Sequence, residues 1–129
     1  MSSVVVGIDM VRVSRIAESV KQFGARFLER IFTEGELAYC LENVHTRDAK
    51  LAARFAAKEA ARKVLRIDDD AIPWRSIEIK RTPGGWCELD LHDGARALAE
   101  KANLVAFSIS LTHEDDHASA IVVAQRGHT

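Results

Sequence analysis

The sequence predicts one α+β domain over residues 1–129, with helices packed on a largely antiparallel sheet. Three observations lead there. The run SVVVGI at 3–8 is short, apolar and rich in β-branched residues, as in a buried strand. An alanine-rich stretch from about Thr46 to Leu65 has almost no helix breaker. Beyond Pro73 the pattern turns to apolar–polar alternation punctuated by turn residues.

The elements follow in order. Val13, Ile16, Ala17 and Val20 recur at helical spacing between about Val11 and Gln22, until Gly24 interrupts. Phe27, Leu28 and Ile31 mark a second short helical piece. Thr33 followed by Glu36 is a capping box, so a helix starts there and runs to about Glu42. The long helix comes next, then the turn IDDDAIPW. Ile77 and Ile79 alternate with Glu78 and Lys80 in a strand at about 75–81, and Pro83-Gly84-Gly85 signals a hairpin. Leu89 and Leu91 alternate in the return strand, and Asp93 to Ala102 is helical with Ala95, Leu98 and Ala99 on one face. Val105 to Leu111 and Ala118 to Ala124 read as two strands joined by the polar loop THEDDH.

Bulk properties narrow the function. Hydrophobic residues make up 47% and charged residues 29%, which indicates a globular chain. A net charge of -1 argues against a general nucleic-acid binder. No apolar run approaches the roughly 20 residues needed to span a bilayer, so no membrane association is expected. MSSVVVGID lacks a basic region before its apolar stretch and reads as a strand, not a signal peptide. Cys40 and Cys87 have no metal-type spacing and fit free thiols in a reducing cytoplasm.

Two carboxylates stand out. Asp9 follows an apolar strand, where it suits either a helix N-cap or a metal ligand. Glu59 sits among alanines on the long helix; Lys63, four residues on, is placed for an ordinary helix pair. Ala56 and Ala60 let neighbours approach closely, however, and a carboxylate enclosed there needs a positive partner. Together Asp9 and Glu59 match the one or two protein carboxylates that Mg²⁺ takes when phosphate oxygens complete its shell. Ser108, Ser110 and Thr112 share a strand face and His113 follows, a set suited to phosphate contacts or to an ordinary polar face. Asp115, Asp116 and His117 read as a solvated loop. Arg12, Arg15, Lys21, Arg26 and Arg30 form a local basic surface opposed only by Glu18 and Glu29, suited either to steering an acidic partner or to an ordinary solvated helix face.

GIDMV near the N-terminus, ERIFT at 29–33, RFAAKEA at 54–60 and SLTHEDDHASAIVV at 110–123 resemble holo-acyl-carrier-protein synthase, the small bacterial type of 4′-phosphopantetheinyl transferase. The resemblance spans nearly the whole chain. It implies transfer of phosphopantetheine from coenzyme A to a serine of an apo acyl carrier protein in fatty-acid biosynthesis, in the cytoplasm, by a Mg²⁺-dependent homotrimer with sites between subunits. It implies Asp9 and Glu59 as metal ligands and Lys63 as a catalytic residue near the coenzyme A phosphates. Ser110, Thr112 and His113 would lie on the coenzyme A side, with Arg54 and Lys58 in support. Arg15, and less directly Arg26, would meet the carrier. A specialised polyketide or peptide synthase carrier, or non-catalytic coenzyme A binding, are the alternatives. Two segments depart from the pattern: LRIDDDAIPW has no glycine, and Gly84-Gly85-Trp86-Cys87 replaces a Gly-Lys-Pro hairpin segment.

Overall fold

The computed structural model describes residues 2–127. Five strands and five helices follow as β1 (Val4–Arg12), α1 (Val13–Phe23), α2 (Ala25–Ile31), α3 (Glu34–Cys40), α4 (Arg47–Val64), β2 (Ile77–Arg81), β3 (Cys87–Leu91), α5 (Asp93–Lys101), β4 (Leu104–His113) and β5 (His117–Arg126). A short 3-10 turn, Trp74–Ser76, precedes β2. The expected α+β class holds. The sheet is divided, however: an antiparallel three-stranded sheet in the order β1-β5-β4 and a separate β2-β3 hairpin.

β1 outruns the sequence expectation, which starts a helix near Val11. Pairing with β5 continues from Val4 opposite Gln125 to Arg12 opposite His117, and these ladder bonds hold the strand past Asp9. Asp9 is thus inside a strand and caps nothing; the N-cap of α1 is Arg12, with no side-chain cap bond. The THEDDH loop also shortens, because Thr112 opposite Ser119 and His113 opposite Ala118 stay paired. The capping box at Thr33 is present as read: its hydroxyl accepts from the Glu36 amide at 3.2 Å, and Glu36 Oε1 accepts from the Thr33 amide at 2.8 Å.

α4 lies across one face of the three-stranded sheet. Its alanines do more than favour helix: Ala52, Ala53, Ala56, Ala57, Ala60 and Ala61 are all buried, so the helix packs on several sides at once. On β1, Gly7 and Val11 face this helix, and a Cβ on Gly7 would fall 2.2 Å from the Ala60 carbonyl oxygen. The opposite face of β1 carries Val6, Ile8 and Met10, 58%, 61% and 65% exposed. One face of the sheet is core and the other an open apolar surface.

A buried ion pair ties α4 to α3 and to the hairpin. Lys58 Nζ, with no exposed surface, lies 2.8 Å from Glu36 Oε1 and also donates to the carbonyls of Ile77 and Trp74. Glu36 Oε2 accepts from the Ile79 amide at 2.7 Å. Both charges are therefore surrounded by partners, the condition under which a buried pair is tolerated. Burial lowers the Lys58 pKa, while the Glu36 charge acts in the opposite direction.

α4 ends without glycine. Arg66 takes φ 56°, and the Ile67 amide reaches back to the Arg62 carbonyl at 2.9 Å, a closure usually given to glycine. Arg62 Nη2 then holds the Asp69 carbonyl at 2.8 Å. No helix among the described residues is long and apolar enough to cross a membrane.

Gly7→Ala is expected to destabilise the fold by about 1–3 kcal/mol, the usual range for overpacking. Urea unfolding reads it, and wild-type stability in the variant would remove the close approach of β1 and α4.

Candidate functional site

The alternation of β1 places Asp9 on the same side as Gly7, toward α4. Because Gly7 lets the backbones close, Asp9 comes beside the stretch of α4 that carries Glu59 and Lys63. Lys63 Nζ donates to the Ile8 carbonyl at 2.7 Å and lies 3.3 Å from Asp9 Oδ1. The helix pair between Glu59 and Lys63 that the spacing allows is not among the ion pairs of the described residues; Lys63 reaches across to β1 instead.

Glu59 is half-buried. Burial raises its pKa, and the negative charge of Asp9 raises it further, while Arg62, Arg15 and Lys63 pull it down. Two carboxylates near one another, with one held above its ordinary range, form a site that favours a proton or a cation. Their hard oxygen donors suit a divalent ion such as Mg²⁺, with the rest of its shell left to water and ligand oxygens.

A cavity of about 440 Å³ opens beside Glu59, and Arg15, Arg26, Phe27 and Trp74 help line it. Arg15 lies 5.6 Å over the Phe55 ring and Phe55 stacks on Trp74 at 5.3 Å, both rings in the cavity wall. Arg62, buried behind them, lies 4.6 Å over Trp74. Arg15, held on an aromatic face and in no ion pair among the described residues, is a cation that an incoming anion can meet.

The other expected contacts lie elsewhere in the chain. Ser110 and His113 line a second cavity, of about 360 Å³, together with Arg54. Thr112 is exposed on the same strand face as Ser110. Lys58 requires a correction. The motif suggests a coenzyme A contact, but its amino group is fully buried and engaged by Glu36 and two carbonyls, so it supports the fold.

A third group was not anticipated from sequence. Glu78 and Asp90 are cross-strand partners, and His92 follows β3. His92 Nε2 is 2.9 Å from Glu78 Oε1 and 3.7 Å from Asp90 Oδ2, and the three donor atoms lie within 4.8 Å of one another, near enough to hold one metal ion. Lys80 already lies 3.0 Å from Asp90 Oδ2, and Thr33 Oγ1 donates to Glu78 Oε2 at 2.8 Å. The sequence signal for it is the alternation of Ile77 and Ile79 with Glu78 and Lys80, and of Leu89 and Leu91 with Glu88 and Asp90, which puts these polar residues on one strand face.

Comparison with known proteins places the chain among relatives of one family. Residues 5–122 match the family model for the 4′-phosphopantetheinyl transferase superfamily. A holo-[acyl-carrier-protein] synthase of Moorella thermoacetica is 42% identical over 119 residues, covering 92% of this chain and 91% of that one. Among solved structures, the Chronobacterium ammoniagenes ACPS–CoA complex superposes with a TM-score of 0.88 at 27% identity, over 98% of this chain and 100% of the other. The Helicobacter pylori holo-[acyl-carrier-protein] synthase in complex with coenzyme A gives 0.82 at 29% identity, over 94% and 100%.

Asp9→Asn should lower the Glu59 titration midpoint, because it removes the like charge that helps to raise it. Carboxyl-carbon NMR would follow the change, and an unmoved or raised midpoint would separate the two acids.

Proposed function

This chain belongs to the 4′-phosphopantetheinyl transferase superfamily, and from that premise we propose that it is a holo-[acyl-carrier-protein] synthase, the whole chain forming one transferase domain. It takes coenzyme A and an apo acyl carrier protein, and yields holo carrier protein and adenosine 3′,5′-bisphosphate. The observation that carries the reading is the meeting of Asp9, Glu59 and Lys63 beside an arginine-lined cavity.

Asp9 and Glu59 would hold Mg²⁺, which when bound supplies charge neutralisation at the diphosphate of coenzyme A. Lys63 sits at the rim of the same pair and offsets charge that builds on the departing phosphate. The carrier serine oxygen bonds to the β-phosphorus, the bond from that phosphorus to the bridging oxygen breaks, and adenosine 3′,5′-bisphosphate leaves. In this reading Glu59 would take the serine proton. Arg15 and Arg26 line the cavity where the carrier serine would enter, and suit an acidic partner surface.

The active protein is proposed to be a homotrimer. Val6, Ile8, Met10 and Ile121 form a continuous exposed apolar face, since Val6 pairs with Val123 and Ile8 with Ile121. The Glu59 cavity and the cavity of Arg54, Ser110 and His113 have no lining residue in common. A coenzyme A molecule reaching from one subunit's acids to a neighbour's Ser110 and His113 would use both. A cytoplasmic location fits the two free cysteines.

Glu59→Gln should abolish transfer while leaving the thermal unfolding midpoint near wild type. Intact-mass spectrometry of apo carrier incubated with enzyme, coenzyme A and Mg²⁺ reads the gain of one phosphopantetheine, and EDTA should block it. Full activity in the variant would take Glu59 out of the site; activity in EDTA would remove the metal. Ile8→Glu should convert a trimer to monomers with loss of transfer. Light scattering reads the mass, and an active monomer would end the shared-site arrangement.

A further inference from the structure

The turn that follows α4 is one of the two segments in which this chain departs from the family pattern, and it carries the successive acids Asp68, Asp69 and Asp70. It is held at both ends. Ile67 before the acids and Ile72 after them pack against the core. Arg62, lying 4.6 Å over the Trp74 ring, donates from Nη2 to the Asp69 carbonyl at 2.8 Å. The Asp69 carboxylate is used inside the turn, where Oδ1 accepts from the Ala71 amide at 2.9 Å. Asp69 is thereby occupied, and the next carboxylate, that of Asp70, is left exposed.

Asp70 also stands in the wall of the cavity beside Glu59. Arg15, Arg26 and Arg30 supply the positive lining, and among the described residues Glu59 and Asp70 supply the negative one. The proposed reaction gives Glu59 to the metal and leaves Asp70 without a task. Asp70 takes part in no ion pair among the described residues. Arg30 nevertheless lines with it both this cavity and a neighbouring one of about 300 Å³. A carboxylate at an exposed rim, near arginines but bonded to none, keeps its charge for whatever docks there. A wholly acidic partner surface gains from the arginines and is repelled at Asp70. A partner that sets one cation at that point gains at both.

We infer that Asp70 is a specificity-determining residue for the carrier: the protein favours an apo acyl carrier protein whose acidic docking surface is interrupted by a lysine or arginine that meets Asp70, and disfavours one that is acidic throughout. The inference rests on the proposed function and goes beyond it by stating which carriers the site prefers. It also assigns a role to the acidic turn that stands where the family pattern has glycine. Asp70 acts on docking and not on the reacting phosphorus. One solvent-exposed charge contact changes affinity by roughly two- to fivefold, and salt screens it.

The test is steady-state transfer by the full-length protein, at saturating coenzyme A, to one apo acyl carrier protein and to forms of it in which exposed acids near the modified serine are reversed singly to lysine. For at least one reversed carrier, the ratio of its kcat/KM to that of the parent should be roughly two- to fivefold higher with wild type than with Asp70→Asn, and lower again with Asp70→Lys. The change should lie in KM for the carrier, with KM for coenzyme A as in wild type. It should shrink as NaCl rises from about 50 to about 500 mM. Asp68→Asn removes the same charge from the same turn outside the cavity wall, and should leave the ratio at its wild-type value. Equal ratios in wild type, Asp70→Asn and Asp70→Lys for every reversed carrier, in an enzyme that transfers, would overturn the inference and leave the proposed function standing. An equal shift from Asp68→Asn would overturn it as well, by reducing the effect to net charge. A wild-type protein that transfers to none of the carriers would overturn the proposed function and this inference with it.

Discussion

The contact of β1 with α4 at Gly7 governs the arrangement of the site. A strand and a helix normally stand apart by the width of their side chains. Here the missing side chain at residue 7 brings the strand onto the Ala60 carbonyl, with Val64 as the next neighbour. Alternation then turns Asp9 to the same side, two residues along, where Lys63 reaches it and Glu59 feels its charge. The small residues of α4 have the same effect on its other sides. Alanine at 52, 53, 56, 57, 60 and 61 lets several elements close around one helix.

α4 carries two sorts of charge within one turn. Lys58 points into the core, where Glu36 and two backbone carbonyls satisfy it. Glu59, one residue later and about 100° around the helix, emerges at the cavity. Lys63, a further turn along, is exposed enough to reach β1 and the Asp9 carboxylate. The buried pair fixes how α4 is rotated against α3 and the hairpin. That rotation in turn decides which charges are structural and which are free for chemistry. Burial and the nearby charge of Asp9 raise the proton affinity of Glu59, while Asp9 itself is met by Lys63.

Two surfaces near this centre set cations on aromatic rings. On one side, Arg15 lies on Phe55, which stacks on Trp74. On another, Tyr39 gathers Lys50, Arg54 and Arg81. Both use aromatic rings to hold guanidinium and ammonium groups in place. The acidic turn after α4 follows a different logic. Arg66 supplies the left-handed residue that a glycine would supply, and Arg62 clamps the turn through Asp69.

Much of this protein was legible in its sequence because periodicity and turn chemistry are local. The strand near Asp9, the capping box at Thr33, the alanine-rich helix and the hairpin at Gly84-Gly85 all depend on residues close in the chain. The motifs carrying Asp9, Glu59 and Lys63 pointed to one family on the same basis. Distant partners had to be decided by tertiary structure. Pairing with β5 kept β1 extended to Arg12, so Asp9 became a strand residue and not a cap. Lys58 looks like a surface cation beside Glu59 in the motif, yet its carbonyl partner Ile77 and its acid Glu36 lie 19 and 22 residues away, and only folding brings them to it. The Glu78–Asp90–His92 group and the cations on Tyr39 come from separate elements for the same reason. A sequence states which groups a chain owns, whereas burial and proximity, which set their charge and their partners, exist only once distant segments have packed.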